Sequence, residues 1–218
     1  MTVDIISIRA ATYAAVFTFL ALIFTTIAFS TPYWLASDGR APVERFQNLG
    51  LWEACFVRFR DTNYLYDREF RGCKWLFDED YAFLLDILEP PFFIATQVMY
   101  TIGFVFLLIA VIGVLAIQLC FYIDREIFAM KLLGGIMFAS GLFTTIAVIV
   151  FGIKGDDREW MPDPEYNFLS WSFGLAIVGC FFQWFASILF WVESRILFKR
   201  DIKREQQSFN MEPTHIKA

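Results

Sequence analysis

Apolar residues are bunched into four stretches, residues 10–29, 92–121, 132–153 and 168–192, and none of them contains Asp, Glu, Lys, Arg or His. A bilayer core about 30 Å thick takes about 20 helical residues to cross, and each stretch is long enough. Lipid offers no water to the backbone, so spanning segments close their hydrogen bonds internally as helices. The second and fourth stretches exceed the minimum, which predicts tilt or helical extension beyond the membrane. The polar remainder falls into residues 1–9, 30–91, 122–131, 154–167 and 193–218. Ala28 and Ser30 near the end of the first stretch would suit a signal-peptide cleavage site. The stretch, however, has only Arg9 as a basic flank and outruns the usual apolar region of about 7–15 residues, so it is read as a span.

The polar/apolar pattern changes inside the segment 30–91, which is too long for a simple connector. Residues 49–60 end in period-two alternation, with Phe56, Arg58 and Arg60 on one face and Val57 and Phe59 on the other. Residues 69–76 would return antiparallel after a turn at Asp61, Thr62 and Asn63. Cys55 and Cys73 both lie in this loop, whereas Cys120 and Cys180 lie at or within spans. Two cysteines in one exposed loop predict a disulfide formed in an oxidising compartment. Tying the two strands there would contribute about 3 kcal/mol by restricting the unfolded chain.

Composition agrees with the pattern. Of the 218 residues 58% are hydrophobic and 19% aromatic, against about 45–50% apolar for an ordinary soluble domain. The mean hydropathy is +0.53. With four spans the termini share one side. Each side carries nine Lys/Arg, but on the terminal side they are packed into fewer residues, five of them just after the fourth span. Density of flanking positive charge places the termini in the cytoplasm, and the loop cysteines agree. Acidic residues number sixteen on the loop side and seven on the terminal side.

Pro32-Tyr33-Trp34 after the first span, then Gly50-Leu51-Trp52, Cys55 and Cys73, resemble the first-loop signature of the claudin superfamily. That group includes claudins, peripheral myelin protein relatives and auxiliary subunits of calcium channels and glutamate receptors. The resemblance covers most of the chain. It implies an all-α membrane protein, a four-transmembrane-helix bundle, with a small disulfide-pinned extracellular β-sheet in the first loop. Three features depart from the family pattern. Seventeen residues separate the two cysteines, which lengthens the hairpin. Asp86 and Glu89 precede Pro90-Pro91 where a basic residue is expected. The ending Thr214-His215-Ile216-Lys217-Ala218 lacks the usual PDZ-binding form. These mark a divergent member, of the kind found among invertebrate septate-junction tetraspan proteins. Tetraspanins place their cysteine-rich loop between spans three and four, and connexins and innexins carry cysteines in both loops, so they fit less well.

The signature residues carry two readings each. Trp34 and Trp52 are either interfacial aromatics or anchors of the loop. Gly50 is either a plain turn residue or a point of close backbone approach beside Trp52. The acidic residues Asp61, Asp67, Glu69, Asp78, Glu79 and Asp80 form a solvated face or line a cation-favouring pore. Arg58, Arg60, Arg68 and Arg71 share the region and blur its field.

Candidate chemistry is sparse. The single histidine, His215, is in the tail, and the spans hold no ionisable carboxylate or lysine, which argues against a transporter. No catalytic residue, metal site, cofactor, small-molecule substrate or nucleic-acid partner is expected. Gln97, Gln118 and Gln183 are expected to hydrogen-bond between helices, at about 1 kcal/mol each. Ala10, Ala11, Ala14 and Ala15, and Gly135 with Ala139, have the spacing for close helix approach. Cys120 is the candidate for lipidation. The tail is expected to continue the last helix and to lose order from Glu205 onward. The expected partners are the lipid bilayer and other junction membrane proteins or copies of the chain itself. The resemblance implies plasma-membrane localisation at cell–cell junctions, contributing to a paracellular barrier; the rival is an auxiliary subunit of a channel or receptor.

Overall fold

The computed structural model describes residues 2–40, 45–59, 70–81, 88–119, 126–155, 160–161 and 164–211. Four helices dominate: α1 (Thr2–Ser30), α2 (Pro91–Leu119), α3 (Glu126–Lys154) and α4 (Trp171–Met211). All four are long and apolar enough to cross a membrane. α1 packs mainly on α4, α4 on α3 and α3 on α2, while the α1–α2 contact is smaller.

Small and polar side chains mark the buried stripes of these helices. On α1 the residues Ala14, Thr18, Ala21, Thr25 and Ala28 are all fully buried, at alternating spacings of four and three that keep them on one face. α4 answers with Ser172, Ala176, Gly179, Gln183 and Ala186. A Cβ placed on Gly179 would lie 2.8 Å from Thr25 Oγ1, so the two backbones approach closely there. Small residues suit such seams because lipid supplies no hydrophobic drive and van der Waals contact must do the work. On α3 the buried row runs through Gly134, Met137, Ser140, Gly141 and Thr144. Gly135 is exposed with open space about it and Ala139 is half-buried, so the close approach uses Gly134 instead. Ala10, Ala14 and Ala15 are buried as expected and Ala11 only partly.

Among the described residues the sheet has five antiparallel strands, in the order β4-β3-β2-β1-β5: β1 (Leu35–Ser37), β2 (Arg45–Leu49), β3 (Glu53–Phe59), β4 (Phe70–Trp75) and β5 (Asn167–Leu169). Residues 49–60, read as one strand, are divided instead by a turn at Gly50–Trp52, and Gly50 N–H donates to Glu53 O at 2.8 Å. Phe56 is buried and Val57 exposed, in keeping with the alternation there, but the β3–β4 register shifts between Val57 and Phe59. The turn expected at Asp61–Asn63 lies outside the described residues, as do Arg60, Asp67, Arg68, Glu69 and Asp86.

The fifth strand is contributed by the second loop. Phe168 and Leu169, assigned from their apolarity to the fourth span, pair with β1 instead, Leu35 opposite Leu169. β1 follows α1 and β5 precedes α4, so this strand pair prolongs the α1–α4 seam. A further difference is at the tail. Helix α4 continues through Glu205 to Met211; the segment after Glu193 is rich in Arg, Lys, Glu and Gln and has no Gly or Pro before Pro213, and such residues favour helix.

Candidate functional site

The candidate site is the junction between the sheet and the bundle. Trp34 is its centre. It is fully buried, so it is a core residue and not an interfacial one. Its indole N–H donates to the carbonyl of Ala28 at 2.7 Å, an acceptor in the last turn of α1 that has no partner within the helix and that the Ser172 hydroxyl also reaches, at 3.4 Å. Tyr100 of α2, Phe151 of α3 and Phe173 of α4 each meet the indole edge-to-face, at 5.1, 5.0 and 5.7 Å. Such pairs contribute about 0.5–1.5 kcal/mol each beyond the area they bury. One side chain therefore touches all three other helices.

The backbone around Trp34 ties the strands to the same point. Trp34 N–H donates to Leu49 O, Ser170 N–H to Trp34 O, and Ser172 N–H to Tyr33 O. Thr31 Oγ1 donates to Ser172 Oγ at 2.9 Å. These bonds join the end of α1, the start of α4 and strand β2.

Gly50 is a point of close approach. A Cβ there would lie 2.5 Å from Pro32 Cα and 2.6 Å from Thr31 O, both backbone atoms. The next residue, Leu51, is fully buried, and its carbonyl accepts from Gln97 Nε2 at 2.7 Å. Gln97 thus bonds a loop carbonyl, where a helix partner was expected. Trp52 is half-buried, its ring 5.3 Å from Phe29 and 6.2 Å from Phe77. The four signature residues form one block at the top of α1 and α2.

Cys55 and Cys73 face each other across β3 and β4 and are joined in a disulfide. Beside it Tyr81 closes the sheet's inner face. It packs edge-on to Phe56 at 5.8 Å and lies 6.0 Å from Phe70, and its hydroxyl donates to Ala54 O at 3.1 Å. Nothing in the linear sequence marks Tyr81, because its partners come from two separate strands. Glu53 lies within 4.8 Å of both cysteine sulfurs, but disulfide sulfurs are not thiolates and do not supply a metal-binding set.

Below the junction a polar cluster crosses the bundle. Gln183 of α4 accepts from Thr144 Oγ1 of α3 at 2.6 Å and donates to Thr25 Oγ1 of α1 at 3.1 Å. Tyr100 of α2 donates to Thr25 O at 3.4 Å. Ser140 Oγ donates to Gly103 O at 2.8 Å. Gln183 therefore fills the interhelical role expected of it, whereas Gln118 is exposed near the far end of α2. Cys120 lies outside the described residues, and Cys180 is a buried free thiol.

The outward surface of the sheet is different in character. Among the described residues β4 is an open edge, with Arg71, Gly72 and Cys73 exposed along it. Next to it Trp75 and Phe77 are 65% and 63% exposed. Asp78 and Glu79 follow, beside these aromatics.

A family model described as PMP-22/EMP/MP20/Claudin tight junction matches residues 19–192. The match runs from the middle of α1 to the middle of α4 and includes the whole sheet. No curated protein matches the chain.

Proposed function

The chain belongs to the PMP-22/EMP/MP20/claudin family of non-enzymatic, multi-pass membrane proteins, and on that premise we propose that it is a cell-junction protein whose sheet is its contact surface. The supporting observation is the contrast between the sheet's two sides. Its inner side is joined to all four helices through Trp34, Leu51 and the bonds around them. Its outer side leaves Trp75 and Phe77 to solvent, at the end of a strand, β4, that among the described residues is at the edge of the sheet. Large exposed aromatics beside an open edge suit protein contact, and a rigid mount lowers the entropy lost on association.

In this reading the sheet is extracellular and both termini are cytoplasmic, with spans near residues 10–29, 92–121 and 132–153, and a fourth that begins with α4 at Trp171 and runs to about residue 192. The disulfide fits the oxidising side. The partners are copies of this chain or other junction proteins, in the same or the facing membrane, and the product is a barrier between cells. The test is tracer leakage across an epithelium that expresses the protein, before and after its depletion. Leakage between cells that still adhere supports a barrier role. An intact barrier would instead favour a role as an auxiliary channel or receptor subunit, to be sought by co-purification and current recording.

A further inference from the structure

A groove of about 620 Å³ lies between α3 and α4, in the half of the bundle away from the sheet. Its volume is in the range of about 300–1,000 Å³ that holds a whole organic ligand. Trp184 and Trp191, seven residues apart on α4, both line it. Their rings lie over two glycines of α3, also seven apart. A Cβ on Gly134 would lie 2.9 Å from the Trp191 indole, and one on Gly141 3.4 Å from that of Trp184. Trp184 is further fixed by donating to Thr145 Oγ1 at 3.0 Å and by the edge of Phe138 at 5.2 Å.

The lining changes chemistry along its length. Trp184, Ile188, Trp191 and Val192 are followed on the same stripe of α4 by Arg195 and Lys199. Ile188 and Val192 are 55% and 44% exposed, so the groove opens sideways, where the four-span topology places lipid. Among the described residues neither Arg195 nor Lys199 has an ion-pair partner. Lys131 of α3 adds a further cation at this end, with its ammonium 5.9 Å from the ring of Phe198.

From Trp184 to Lys199 the helix rises roughly 22 Å at 1.5 Å per residue. One leaflet, half of a bilayer roughly 40–45 Å thick with its headgroups, has the same depth. We propose that this groove binds an anionic phospholipid, with an acyl chain along Ile188 and Val192 and the net negative headgroup, its phosphate and carboxylate, at Arg195 and Lys199. The order of apolar wall and cationic end matches the order of chain and headgroup in such a lipid. A second copy of the chain fits less well, because a two-fold contact would bring the two cationic ends together. A partner helix would need small residues for close approach, and bulky Trp, Phe and Ile form the walls. The proposal does not depend on the junctional reading.

The test is native mass spectrometry of the full chain in detergent with equal amounts of phosphatidylserine and phosphatidylcholine of identical acyl chains. The wild-type protein is expected to retain phosphatidylserine about thirtyfold over phosphatidylcholine, since each of the two basic residues near an anionic headgroup contributes about 1 kcal/mol. Arg195→Gln with Lys199→Gln should abolish that preference. Lys203→Gln with Arg204→Gln removes as much charge outside the groove and should keep it. Ile188→Trp, on an exposed position, should fill the groove and lower retention of both lipids. Equal retention of the two lipids by the wild type would overturn the proposal, as would equal losses in the two charge pairs. So would a dimer that excludes lipid and is broken by Ile188→Trp.

Discussion

The two halves of the bundle are packed from different materials. Around the sheet the core is built on large rings, with Trp34, Tyr81, Phe93, Tyr100 and Phe151 all fully buried. Toward the tail it is built on Ala14, Ala21, Leu107, Ala110, Val114, Leu133 and Met137, with Phe190 the one buried ring among the described residues. The first half encloses an interlocked set of rings and hydrogen bonds. The second opens into wider grooves, one of about 620 Å³ against α3 and α4 and one of about 280 Å³ lined by residues such as Ala15, Val114 and Leu133, against about 180 Å³ beside Trp52 and Trp75 in the first. Edge-to-face rings have directional contacts and hold one arrangement, while aliphatic contacts are non-directional and tolerate rearrangement. The half that must orient a sheet is the directional one. Where the surface meets acyl chains, lipid can fill what the protein leaves open.

Substitutions at the centre of the aromatic half should have the largest effect. Trp34→Ala removes three ring contacts and the bond to Ala28, and about 3–5 kcal/mol of stability should be lost. The expected readout is intracellular retention and a collapsed melting transition in detergent. An unchanged transition would show that the aromatic half is held no more firmly than the aliphatic one. Gly50→Ala should follow, at about 3 kcal/mol, because its methyl group meets backbone that cannot rotate away; protease resistance of the sheet reports it. Cys55→Ser and Cys73→Ser should each cost about 3 kcal/mol and reduce surface delivery. Normal delivery of both, with unchanged protease resistance, would show that the sheet holds without its bridge.

In the middle of the bundle, Gln183→Leu should cost about 1–2 kcal/mol by leaving Thr144 and Thr25 without their shared amide, read as a modest drop in melting temperature. The smallest effect is expected in the tail half. Gly135→Ala, at an exposed position with open space around it, should change stability by at most about 1 kcal/mol, upward, through helix propensity. Gly134→Ala, one residue away, should instead displace Trp191 and lower stability. Indistinguishable melting temperatures for those two variants would show that the tail half is looser than its packing implies.

Much of this was legible in the sequence for a physical reason. Membrane crossing imposes a long run of uncharged residues, and such a run is visible without knowing any contact. The two loop cysteines were equally visible, because few chemistries place a pair of thiols in one exposed loop. Which face of each helix turns inward was much less visible. A helix that is apolar all round has little amphipathic contrast, and only small or polar residues mark its buried side. That cue served for Ala14 and Gln183. It missed by one residue at Gly134, because two adjacent glycines offer the same signal and only the position of Trp191 separates them. It also misplaced Gln97, whose partner is a carbonyl 46 residues away in the loop.

Composition and short spacing are enough to place the four apolar helices, the disulfide and the family signature. That Phe168 and Leu169 complete the sheet, that Trp34 is a core residue and that Gly50 must be bare emerges only in the folded chain. Each of these depends on atoms that lie far apart in the chain or on a neighbour's backbone. Leu35 meets Leu169 across 134 positions of sequence because α1 and α4 run side by side and carry their strands beyond the bundle together. No local pattern contains that pairing; the packing of the helices creates it.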